Sequence, residues 1–227
     1  EPQKVYDFLD WLEKELPFPV YRVMWKDGLR ANIYESLKGK RFAVAPFFTS
    51  TDTGKAGQLR RQCTREFKIQ PIERKTRKLL GVSKGKRVPR DRHANIWMGI
   101  SLDEIQRMRV SMHKWSTHRY PLVDLRMSRH DCLTWMSANS YPTPPRSACL
   151  WCPYHSDAEW RSIKENDPDG WKEEVLMDQS IRGGVRGTKE RLYLHRSLKP
   201  IDEVDLDTPE DHGQINWLDE CEGMCGL

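Results

Sequence analysis

The residues best suited to chemistry are six cysteines, at positions 63, 132, 149, 152, 221 and 225. Two of them form the tightest local pattern, Ala148-Cys149-Leu150-Trp151-Cys152-Pro153. Two thiolates three residues apart on a turn can bind one metal centre, and the following proline helps to fix the loop. A redox dithiol or two buried cysteines are the other readings of that spacing. Cys63 sits among cations, in Arg61-Gln-Cys-Thr-Arg-Glu-Phe-Lys-Ile-Gln-Pro71. A basic setting lowers a thiol pKa and so suits metal ligation or nucleophilic attack. Cys132, beside Leu133 and Met136, is expected in a helix core. His155 lies three residues after Cys152; it could substitute as a ligand, but a solvent-facing side chain is the expectation. Trp151 and Tyr154 either shield the cysteine site or serve as ordinary core aromatics.

Charge is the second chemical signal. Between Arg60 and Arg92 there are thirteen Lys or Arg against three Asp or Glu, whereas the whole chain carries only +5. The block suits polyanions, either nucleotide phosphates or nucleic acid, with a solvated basic loop as the plain alternative.

The elements that must position these groups follow from periodicity. Val5, Phe8, Leu9, Leu12 and Leu16 predict a helix that Pro17 and Pro19 end. Val20 to Trp25 reads as a strand, Phe42 to Phe48 as a short strand broken by Pro46, and Arg60 to Lys78 as partly helical. Gly81 to His93 reads as a mobile basic loop. Ile96 to Ile100 is a short apolar run, Asp103 to Val110 reads as helical, and Tyr120 to Leu125 as extended. Ser128 with Asp131, and Ser156 with Glu159, are capping-box patterns opening helices to Asn139 and to about Asn166. Trp171 to Ile181 is another helix, and the tail from Pro200 is acidic and loop-like. Strands alternating with helices predict an α/β fold with a mainly parallel sheet. A hydrophobic fraction of 37% and a charged fraction of 31% fit a polar globular protein. No run of about 18 apolar residues is present and the beginning lacks a secretory apolar stretch, so a cytoplasmic protein without a membrane span is expected.

Taken together, these motifs resemble the phosphoadenylyl-sulfate (PAPS) reductase family of the PP-loop adenine-nucleotide hydrolase-like superfamily, and most closely its phage and prophage members. Cluster-containing members carry Cys-Cys-x-x-x-Lys-x-x-Pro and, some eighty to ninety residues on, Cys-x-x-Cys. Here Cys63, Lys68 and Pro71 stand near those places, Cys149 follows 86 residues after Cys63, and Thr64 replaces the second cysteine. Gly99 to Arg107 is similar to the family's Gly-Ile-Arg-x-x-x-Ser-x-x-Arg segment. Tyr120-Pro-Leu-Val-Asp124 and Asp131 are similar to its Tyr-Pro-Leu-x-Asp-Trp and following Asp. Glu220-Cys221, or Cys225-Gly226-Leu227, resembles its terminal Glu-Cys-Gly-Leu-His.

The resemblance implies a partial Rossmann-like PP-loop domain over 1–140 and a cysteine-rich C-terminal region over 141–227 packed on it. It implies a 4Fe-4S cluster, with zinc as second choice, held by Cys63, Cys149, Cys152 and Cys221. Cys225 would then be the attacking thiol, although the two tail cysteines could exchange these roles. Lys68 and Arg107 would hold phosphate or sulfate oxygens. The family's nucleotide loop, Ser-Gly-Gly-x-Asp-Ser, is not reproduced by Thr51-Asp-Thr-Gly54 or Ser83-Lys-Gly-Lys86. The first strand, nucleotide loop, helix and second strand are therefore expected to be removed, supplied by another chain, or lost. An adenine nucleotide would bind if that segment were supplied. The implied activity is sulfur transfer or reduction on an adenylylated or nucleic-acid substrate. The alternatives are a non-catalytic interaction module and a zinc-stabilised nucleic-acid-binding protein.

Overall fold

The computed structural model describes residues 2–43, 45–188 and 190–207. The described chain is mixed α/β and falls into two compact units. Among the described residues no helix is long and apolar enough to cross a membrane.

The first unit is built from Met24–Lys68 and from residues 147–207 of a segment that begins at Ser147. Helix α2 (Gly28–Leu37) is followed by strands β1 (Phe48–Ser50) and β2 (Ala56–Gln58). These pair antiparallel, Thr49 opposite Gly57. The turn between them uses Gly54 at φ 77°, a left-handed conformation that glycine adopts without a Cβ clash, and Gly54 N–H donates to Thr51 O at 2.8 Å. The Thr51-Asp-Thr-Gly54 stretch is thus a hairpin turn. Strand β5 (Arg191–Tyr193) adds antiparallel to the other edge of β1, giving the order β2-β1-β5.

Helices α6 (Asp157–Asn166) and α7 (Pro168–Ile181) cover this sheet's core. Both begin where local chemistry dictates. Ser156 and Glu159 form a reciprocal capping box, and Asp167 Oδ1 accepts from Gly170 N–H at 2.9 Å just outside Pro168 at the first helical position. Phe47, Trp160, Met177, Ile181, Leu192 and Leu194 are almost fully buried together. Ile201, in a 3₁₀ turn (Ile201–Glu203), joins them at 0% exposure, with Val204 and Leu206 beside it. The segment after Pro200 was expected to be an acidic loop. Its apolar residues instead alternate into the core while Asp202, Glu203 and Asp205 face water.

The second unit comprises residues 4–23 and 69–146. It holds most of helix α1 (Gln3–Glu15), helix α3 (Gln70–Leu79) with Pro71 in its first turn, and strands β3 (Ala94–Trp97) and β4 (Ser116–Arg119). Two short helices, α4 (Pro121–Asp124) and α5 (Arg129–Ala138), follow. β3 and β4 run parallel, Ala94 opposite Ser116 and Trp97 opposite Arg119. Their connection contains a 3₁₀ turn (Leu102–Arg107), tied down by Leu102 N–H to Met127 O at 2.8 Å and Arg129 N–H to Asp103 Oδ1 at 2.7 Å. Tyr120 is buried, its hydroxyl donating to Arg109 O at 2.5 Å and accepting from Arg109 N–H at 2.8 Å. Trp11, Tyr141 and Trp135 form a ring cluster at centroid separations of 5.5 and 5.6 Å. The box at Ser128 and Asp131 caps α5 as the sequence predicts, and the Ser128 hydrogen bonds hold the Asp131 carboxyl below its ordinary pKa.

Several expectations are corrected. The sheet is not mainly parallel: the larger one is antiparallel, and only β3–β4 is parallel. The strands are three or four residues long, too short for periodicity to separate hairpin from crossover. Val20 to Trp25 forms no strand, because it is exposed along most of its length and neither face is buried. The strand expected over Phe42 to Phe48 begins only at Phe48, past Pro46. Tyr120 to Leu125 is not extended: Pro121 occupies the first position of α4, where its fixed φ and missing N–H are favourable.

Candidate functional site

Cys149 and Cys152 lie in the first unit, half-buried, on a turn closed by Cys152 N–H to Cys149 O at 3.1 Å. The turn is held from within by His155. Its Nε2 lies 2.9 Å from Cys149 O and 3.2 Å from Leu150 O. Both partners are carbonyls, so Nε2 carries the proton. The imidazole side chain is 6% exposed, packs edge-on against Trp160 at 4.7 Å, and has Nδ1 3.7 Å from Glu159 Oε2. The expectation of a solvent-facing His155 is therefore corrected: it is buried because it braces the cysteine turn, and with Nε2 so engaged it does not stand in as a ligand through that atom.

Cys63 belongs to the same unit and immediately precedes a π-helical turn (Thr64–Ile69). π turns are rare and concentrate at functional sites, because the extra residue per turn re-aims side chains. The strand and turn leading to Cys63 touch the cysteine loop through Tyr154: the Arg61 guanidinium lies 5.2 Å over its ring, and its hydroxyl is 3.4 Å from Gln58 Oε1. Buried side-chain polar atoms without a hydrogen-bond partner occur close to the cysteines in sequence, at Arg61 Nε, Thr64 Oγ1 and Trp151 Nε1. The thiol donors of Cys149 and Cys152 fit a soft metal centre, and this turn can present both. Among the described residues, however, no three His, Cys, Asp or Glu side chains form a group arranged to hold a metal ion. Cys221 and Cys225 lie outside the described residues.

Lys68 is exposed on the π turn, and Glu66 near it is taken up by Arg41, whose Nη2 donates to both carboxylate oxygens at 2.7 and 2.9 Å. Arg107 belongs to the second unit, where its guanidinium pairs with Glu104 one turn back on the 3₁₀ segment. Cys132 is half-buried on α5, a helix with no fully buried residue, so the expectation of a core cysteine is corrected. Burial, with Asp103 and Asp131 adding to it, raises its thiol pKa and makes it a poor ligand or nucleophile.

One polar chain escaped sequence reasoning. His195, 4% exposed and two residues past the end of β5, has Nε2 2.9 Å from Asp157 Oδ1 and Nδ1 2.8 Å from the exposed Ser197 hydroxyl. Arg196 Nη2 donates to the second Asp157 oxygen at 2.8 Å. The chain ties the first turn of α6 to the exit of β5 and could pass a proton from solvent to a carboxylate. Its members are separated by 38 residues, so only the acid beside the capping serine and the His-Arg-Ser run could have hinted at it. Comparison with known proteins finds no matching family model, no matching curated protein and no matching solved structure.

Proposed function

We propose that this chain is a PAPS-reductase-like, thiolate-ligated metal protein acting in sulfur transfer or reduction on an adenylylated or nucleic-acid substrate. The observation that carries the reading is the Cys149–Cys152 turn braced by the buried His155, with Cys63 immediately before a π turn in the same unit. Cys63, Cys149 and Cys152 would hold the centre, an iron–sulfur cluster in the first instance and zinc in the second, with Cys221 as the fourth ligand and Cys225 as the attacking thiol. A bound cluster would supply electron storage and electrostatic stabilisation near a sulfur-bearing group. The protein's own contribution is to keep the cysteine turn in shape and to place the Lys68 cation where it can meet phosphate or sulfate oxygens. Arg107 would share that role only by leaving Glu104. The parallel β3–β4 pair is read as part of a PP-loop-type sheet, in keeping with the sequence resemblance.

The test is metal content. Protein purified without air should be brown, with iron and acid-labile sulfide in near-equal amounts. Cys149→Ser and Cys152→Ser should each lose the metal, and Cys132→Ser should keep it. Stoichiometric zinc without sulfide would favour the zinc-stabilised nucleic-acid binder. Full metal retention in Cys149→Ser would refute the site.

A further inference from the structure

The second unit carries a surface that the cysteine chemistry does not use. Its 69–146 segment has sixteen Lys or Arg against six Asp or Glu. The stretch after α3 was expected to be a mobile loop, but it is fastened down. The Arg77 guanidinium donates to Lys86 O, Arg92 Nη1 donates to Leu80 O at 2.6 Å, and Val88 is buried. Two internal turns, Lys86 N–H to Ser83 O and Arg92 N–H to Pro89 O, both at 3.2 Å, shape it further. Lys84, Lys86, Arg87 and Arg90 are thus exposed on a fixed frame.

That frame leads directly into β3. His93, Asn95 and Trp97 alternate to one side of the strand and are exposed; Thr117 and Arg119 of β4 stand opposite Asn95 and Trp97. His93 Nε2 lies 3.0 Å from Thr117 Oγ1, bracing the start of this face. Trp97 is 74% exposed beside the Arg119 cation. Parallel sheets are normally covered on both faces, so a tryptophan this open on one is anomalous.

We infer that this face binds single-stranded nucleic acid: the loop cations hold successive phosphates, and a base stacks on Trp97 with the Arg119 guanidinium beside it. The charge selects a polyanion over an apolar partner. The open indole selects unstacked bases, because in a duplex the base faces are already covered. The inference deepens the nucleic-acid branch of the proposed function and rests on it for the substrate, but the surface itself includes no cysteine.

The experiment is fluorescence anisotropy of a labelled 12-nucleotide mixed-sequence RNA, its DNA counterpart and the matching DNA duplex, titrated with the full chain at several salt concentrations. The single strands should bind more tightly than the duplex. Trp97→Ala should weaken binding roughly tenfold and leave the salt slope unchanged, while Trp97→Phe should recover most of the loss. Removing Lys84, Lys86, Arg87 and Arg90 together should flatten the slope by about 3, near 0.7 per lost phosphate contact. Trp97→Ala should keep the metal content of the unaltered chain, so failure of the metal site and failure of this surface are read separately. Equal binding by Trp97→Ala, tighter binding of the duplex, or no salt-sensitive binding at all would overturn the inference. Each altered side chain is exposed, and an unchanged melting curve shows that the variants are folded.

Discussion

Two acids on one helix show how much a hydrogen bond matters to a buried charge. Glu174 and Asp178 both face the core from α7, at 0% and 1% exposure. Asp178 accepts from Leu194 N–H at 2.9 Å and Ile201 N–H at 3.2 Å and pairs with Arg182; burial raises its pKa, and these donors oppose the rise. Glu174 has no hydrogen-bond partner at either oxygen, and burial, reinforced by Glu173, drives its pKa well above the ordinary range. An acid whose pKa is raised by folding favours the native state while protonated. That contribution is complete below the unfolded-state pKa of about 4.3 and is lost as pH rises through the folded value. Glu174→Gln cannot ionise, so its melting temperature should exceed that of the unaltered protein by a margin that widens from pH 4 to pH 8. A margin that stays flat with pH would show that Glu174 finds a partner in solution. The helical register that buries positions 170, 174, 177, 178 and 181 is readable from sequence. That a Lys-Glu-Glu run would send one acid inward is not, because charge patterning alone describes a solvated face.

Among the elements, what was legible is what is decided within four residues. Both capping boxes were readable because a serine hydroxyl and an acid three residues on satisfy each other's amide groups without help from the rest of the chain. Ser156→Ala should therefore lower stability by about 1 kcal/mol, measured by chemical denaturation. It should do so in the element that follows the cysteine turn, so metal affinity in the same variant reports how far the turn depends on α6. The Cys-x-x-Cys spacing was legible for the same local reason. The strands were not, since Phe48–Ser50 acquires its register only from Ala56–Gln58 and from Arg191–Tyr193, the latter some 140 residues away. Nor was the Asp157–His195–Ser197 chain. His195→Phe should keep an aromatic ring in place yet leave Asp157 with Arg196 alone, costing about 1–3 kcal/mol. A smaller loss would mark the chain as a surface ornament of α6.

At the scale of the whole molecule, the described polypeptide lays residues 4–23 in its second unit, enters the first at Met24, leaves it after Lys68, builds residues 69–146 in the second, and returns at Ser147. The central strand of the first unit, β1, has β2 as an immediate neighbour but waits for β5 on its other side. The Phe47 that precedes it needs Leu192 and Leu194 to be covered. During synthesis the β1–β2 hairpin therefore leaves the ribosome well before the strand that completes its sheet, at a rate of about 5–20 residues per second. For about 7–27 seconds at that rate a nascent chain carries an open sheet edge and an uncovered phenylalanine, which is the interval in which chaperones act and in which aggregation begins. A chain stopped just before Arg191 is frozen in that interval. It should be recovered from cells only in the insoluble fraction, whereas one extended through Asp207 should not.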